Sequence, residues 1–135
     1  MLKLALPLLA TAALALLATG CGGGAAAAGP TIRIHFSHFE PDAVTVAAGK
    51  PVTITLRNDD PIDHEWIVGT AEVHERHRTG TEPVHNSIPT EVTIPALTTL
   101  TTTITFDRAA DLLYICHLPH HEQYGMVGTL HVIEG

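Results

Sequence analysis

A thiol, three imidazoles and a thioether fall within one short stretch near the C-terminus. Residues 116–126 read Cys-His-Leu-Pro-His-His-Glu-Gln-Tyr-Gly-Met. Four residues separate Cys116 from His121, and four more separate His121 from Met126. Thiolate and thioether sulfur are soft ligands and imidazole is borderline. Two imidazoles, a thiolate and a weak axial thioether make a copper site suited to one-electron exchange. The stretch leaves one imidazole to come from elsewhere, and His64 is the candidate. His120, one residue nearer Cys116, is the alternative to His121. His117 directly follows Cys116, so on an extended chain its side chain points to the opposite face.

Such a loop needs two strands to hold it. Residues 112–115, Leu-Leu-Tyr-Ile, lead in, and residues 126–133, Met-Val-Gly-Thr-Leu-His-Val-Ile, lead out. Both are apolar enough to read as strands. The stretch YICHLPHHEQYGMVGTLHV resembles the C-terminal copper loop of the cupredoxins, the blue copper proteins of the plastocyanin and azurin kind. FEPDAVTVAAGKPVTITLRNDDPIDHEW resembles the N-terminal half of that family, where an Asn closes a strand and the first copper His follows. The resemblance covers residues 31–134. It implies one type 1 copper cycling between Cu(I) and Cu(II), held by His64, Cys116, His121 and Met126. It also implies that Asn58 braces the loop before His64. One departure stands at position 120, where His replaces the family's usual Gly and competes with His121 for the ligand role.

The chain contains two cysteines and two methionines. Cys21 follows an uncharged run rich in Leu and Ala, introduced by Lys3. That run has the form of a secretory signal over residues 1–20. Ala18-Thr19-Gly20-Cys21 resembles the lipobox of bacterial lipoproteins, which implies a lipid on Cys21. Ordinary cleavage and an uncleaved anchor are the alternatives, and all three export the domain. Pro7 and an apolar run shorter than the ~20 residues of a spanning helix argue against the anchor. Residues 21–30 are small and uncharged and read as a flexible tether. With Cys21 lipidated, Cys116 is a lone thiol in an oxidising compartment, a liability unless a metal occupies it. Met126 is then the only Met left in the mature chain.

Seven Lys and Arg stand against 14 Asp and Glu, a formal charge of −7. No basic patch points to nucleic acid. The acidity serves solubility, or steers the protein to a positively charged redox partner. No nucleophile is paired with a base, no Gly-rich phosphate loop is present, and four protein ligands leave a metal no open position for substrate. The chain therefore reads as a non-enzyme. A monomer is expected.

Alternation with a period of two runs through most of residues 31–135. Ile32, Ile34 and Phe36 share one face. Val44 with Val46, then Val52, Ile54 and Leu56, and later Leu100, Thr102, Ile104 and Phe106 repeat the pattern, with turn formers between. This predicts an all-β Greek-key sandwich of about seven to eight strands. Residues 69–88 interrupt it. They are polar and hold His74, His77 and His85. Glu72 and Arg76 are spaced for a short helix over residues 71–78, which would put His74 and His77 on one face. The segment reads either as a second metal site or as an exposed insertion with three solvated histidines.

These features predict a lipid-anchored type 1 copper protein, on the outer face of the cell membrane or in the periplasm, carrying electrons between redox partners. The alternative is copper capture, delivery or resistance at the same place.

Overall fold

The computed structural model describes residues 26–135. The expected signal over residues 1–20 and Cys21, the expected lipidation site, lie outside them. In the described part, nine strands and one helix follow in order: β1 (Ala27–His35), β2 (His38–Glu40), β3 (Ala43–Ala47), β4 (Pro51–Asn58), β5 (His64–Gly69), α1 (Ala71–Thr79), β6 (Glu91–Ile94), β7 (Thr99–Thr105), β8 (Ala110–Ile115) and β9 (Val127–Ile133). One sheet has the order β2-β1-β4-β7 and the other β3-β9-β8-β5-β6. The strand count exceeds expectation because β2, an edge strand of 3 residues, is too short for periodicity to resolve. β1 begins at Ala27, before the expected domain boundary at Thr31, and pairs Ala27 and Ala28 with Val52 and Thr53.

Alternation decides which side chains meet between the sheets. Ile32, Ile34, Ile54 and Leu56 of one sheet and Trp66, Tyr114 and Leu130 of the other are fully buried. Burying side chains of this kind contributes about 1.5–3 kcal/mol each. The β1 pattern stops one residue short of expectation. Phe36 sits at φ 51° in a turn and is 79% exposed, so it does not join Ile32 and Ile34.

Strand β5 is buried along its whole length, although sandwich strands usually show one face to water. His64, Trp66 and Val68 alternate on the inner face. The opposite face, which carries Glu65, Ile67 and Gly69, is covered by α1 and the loop after it. A Cβ added at Gly69 would meet Val73 of α1 at 2.7 Å, so the helix rests almost on the β5 backbone. The helix forms where the sequence predicts it and ends at Gly80. There φ is 64°, and the Gly80 and Thr81 N–H groups cap the carbonyls of His77 and Arg76. The segment 69–88 thus covers β5 while most of its own residues, His85 among them, stay exposed as its polarity suggested; among its histidines, His74 and His77 are the exceptions. His74 is fully buried.

Candidate metal centre

The four residues singled out from the sequence come from β5, the end of β8 and the loop into β9. Cys116 follows the last residue of β8, and its N–H donates to the Met126 carbonyl at 3.2 Å. The loop between them is closed on itself. His121 N–H donates to Leu118 O at 3.0 Å, and Met126 N–H to His121 O at 3.0 Å. His64 opens β5 in the same sheet. His64, Cys116 and His121 each offer a donor atom, all within 4.8 Å of one another. Cys116 Sγ lies 3.2 Å from His121 Nδ1, and the two Nδ1 atoms of His64 and His121 are 3.2 Å apart. Cys116, His64 and Met126 are inaccessible to solvent, while His121 is partly exposed.

The competing imidazoles separate cleanly. His120 is exposed and outside the cluster. Its backbone is at φ 71°, the left-handed region that costs an ordinary residue about 1–2 kcal/mol. That explains why the resembling family places Gly there: the turn needs the conformation, whichever side chain occupies it. His117 points away, as extended geometry requires. Its Nε2 lies 2.9 Å from His74 Nδ1, and its ring stacks on His77 with centroids 5.3 Å apart.

The supports of His64 are side chains that sequence reasoning partly missed. Asn58 was expected to brace the loop, and it does. Its amide N–H groups donate to the carbonyls of Ile62 at 2.8 Å and of Ile94 and Pro95 at 3.1 Å, and its Oδ1 accepts from Asp60 N–H at 2.9 Å. Asp60 was read only as a turn former. Its buried carboxylate accepts from Phe36 N–H at 2.8 Å and Ser37 N–H at 2.7 Å, and its Oδ2 lies 3.0 Å from His64 Nε2. A carboxylate there fixes the proton on Nε2 and leaves the Nδ1 lone pair facing the cluster. The one sequence signal is the spacing of four between Asp60 and His64.

Burial dominates the electrostatics. It pushes the Cys116 thiol up to about 11, partly opposed by N–H groups of Glu65 and Leu118. It holds His64 below the usual imidazole range, against the pull of Asp60. Glu65 N–H donates to Cys116 Sγ at 3.3 Å. The loop is also clamped from outside, because the Arg78 guanidinium grips both oxygens of Glu122, at 3.1 and 3.0 Å from Nε.

This donor set fits copper. One sulfur and two imidazoles converge, with Cys116 and His64 fully buried and His121 partly exposed, and a thioether is buried at the end of the same loop. Soft sulfur beside imidazole selects copper or zinc over hard cations.

Two packed sheets with a cysteine, two histidines and a methionine at one end are the marks of a cupredoxin. Residues 10–99 match the sequence profile of the Cupredoxin-like domain, and the chain belongs to that family. The match ends before the Cys116 loop. Two relatives are similar over most of the chain. The Copper-resistant cuproprotein CopI of Rubrivivax gelatinosus is 29% identical over 117 residues, covering 82% of this chain and 71% of that protein. CopI of Pseudomonas aeruginosa strain PAO1 is 28% identical over 127 residues, covering 70% of each. Among solved structures, auracyanin A, a "blue" copper protein from Chloroflexus aurantiacus, superposes with a TM-score of 0.60 at 27% identity, covering 77% of this chain and 99% of that one. The dithionite-reduced auracyanin of Roseiflexus castenholzii gives a TM-score of 0.65 at 19% identity, covering 80% and 98%.

Proposed function

We propose that this cupredoxin carries single electrons through one type 1 copper bound by His64, Cys116 and His121, with Met126 as the weak axial ligand. The observation that carries the reading is the approach of Cys116 Sγ and His64 Nδ1 to the same atom, His121 Nδ1, each at 3.2 Å. A bound copper would supply the one-electron couple. The chain supplies a site that has little need to move. Asp60 and Asn58 hold His64, the closed loop holds His121, and β8 holds Cys116, so the two oxidation states meet nearly the same surroundings. The partly exposed His121 edge is the port for exchange with redox partner proteins. The leader and Cys21 support export and attachment by lipid to the outer face of the membrane, and Cys21→Ser should release the domain from the membrane fraction.

The test is the optical and EPR spectrum of the Cu(II)-loaded chain. An intense thiolate-to-copper band is expected in the visible, and Cys116→Ser should abolish it while leaving a folded β domain. A colourless wild-type protein holding one tight Cu(II) would overturn the reading.

Copper capture or resistance is the second reading, favoured by the two CopI relatives, whose names describe copper-resistant cuproproteins. Reversible one-electron cycling with copper retained supports the carrier. Loss or hand-over of Cu(I) on reduction supports the capture protein.

A further inference from the structure

We propose that His77, Glu82 and His85, with Glu91 beside them, form a second site for a divalent transition-metal ion, on the outer face of β5. The donor atoms of the first three lie within 4.8 Å of one another. His77 comes from α1, Glu82 and His85 from the loop after it, and Glu91 from the start of β6. The polar lid over β5 thus brings together side chains that are distant from the first centre in the sequence.

Two features set this cluster apart from a chance gathering of polar groups. The first is the state of the imidazoles. His77 Nδ1 lies 2.9 Å from the Val73 carbonyl. A carbonyl only accepts, so the proton is on Nδ1 and Nε2 carries the lone pair. His85 Nε2 lies 3.1 Å from Glu65 Oε1, which leaves its Nδ1 facing Glu82 Oε1 at 3.5 Å. A ligand histidine typically donates its far N–H to a carbonyl or carboxylate in this way.

The second feature is a deficit. His77 Nε2, Glu82 Oε2 and Glu91 Oε2 are all buried without a hydrogen-bond partner among the described residues. His77 Nε2 stands 3.6 Å from Glu91 Oε1, and the His77 side chain is only 2% exposed. Lone pair faces lone pair across that gap. An unpaired buried polar group costs about 1–3 kcal/mol, and three in one place call for a shared cation. Arg76 lines the same cavity, but its guanidinium makes no hydrogen bond to any of these three atoms. Imidazole with carboxylate and no sulfur selects Zn(II) or Cu(II) over Cu(I).

The ion's nature is open to direct measurement with zinc as the probe. Equilibrium dialysis of the copper-loaded full chain against Zn(II) should find one zinc per chain beyond the copper. Cys116→Ser should retain that zinc, so the count does not depend on the type 1 reading. His85→Ala and Glu82→Gln change partly exposed side chains and should weaken zinc binding at least about tenfold, by loss of one ligand each, with the visible band kept. The ¹⁵N shift of His77 Nε2 should move from a free to a metal-bound value on adding zinc. No bound zinc overturns the proposal, as does undiminished binding by both variants. A His77 ring found doubly protonated, and still so after zinc is added, also overturns it, because a proton would then fill the gap.

Discussion

Asp60 Oδ2 lies 3.0 Å from His64 Nε2, and the same carboxylate caps the Phe36 and Ser37 N–H groups. One buried side chain therefore ties the β1–β2 turn of one sheet to the first imidazole of the other. Its negative charge makes His64 a stronger donor. Asp60→Asn keeps the shape and removes the charge. Copper affinity should fall by about 10–100-fold, and the reduction potential should rise because the less basic imidazole stabilises Cu(II) less. Voltammetry and a competitive chelator titration measure the two effects.

At position 120 the backbone sets the expectation. Glycine relieves the left-handed cost of about 1–2 kcal/mol and gives back about 0.5–1 kcal/mol in chain entropy. His120→Gly should leave metal-free stability equal or raise it by up to about 1.5 kcal/mol in urea denaturation, and keep the visible band. His121→Gly should lose that band and regain a changed one on adding imidazole. The reverse pattern would move the ligand by one residue.

The Cys116 thiol, pushed up to about 11 by burial, is protonated in the metal-free chain near neutral pH. Metal must displace that proton. Apparent copper affinity should therefore rise about tenfold per pH unit between roughly pH 7 and 9. Calorimetry in two buffers of different ionisation enthalpy should find one proton released per copper bound.

His74 gives the acid limb. Burial holds its pKa below the ordinary 6.5, although the Leu113 carbonyl pulls the other way. Unfolded chains bind the proton first, so this contribution to stability is complete above pH 6.5 and is lost as pH falls from there through the folded value. The thermal midpoint of the metal-free chain should drop over that window. His74→Phe removes one of these titrations and should make the drop shallower, while burial of His117, held down to about 4, and of His64 keeps the rest of it. It should also cost about 1–3 kcal/mol at neutral pH, from the unpaired groups it leaves at Leu113 and His117.

The sandwich and the convergence of the loop side chains were legible because their signals are local: a period of two, and a Cys, a His and a Met spaced on one connection. His64 needed the family resemblance, since beyond its spacing of four from Asp60 nothing in its own neighbourhood distinguishes it from an exposed loop histidine. Asp60 was hidden among turn formers that share its composition. The burial of His74 was hidden more deeply. Its partner His117 is 43 residues away, and a polar helix carries no sign that an imidazole will take its place beneath it. Phe36 misled because alternation does not announce where a strand turns.

Strand β9, which directly follows Met126, pairs in parallel with β3, from Ala43↔Thr129 to Ala47↔Ile133. The ninth described strand thus fastens the third. The sheet β2-β1-β4-β7 pairs without it, but β3 has no partner strand among the described residues until β9 arrives. Cys116 has no Met126 carbonyl to hold its backbone until that same moment. Closure of that sheet edge and completion of the loop are one event, and an ion that binds there meets a closed site.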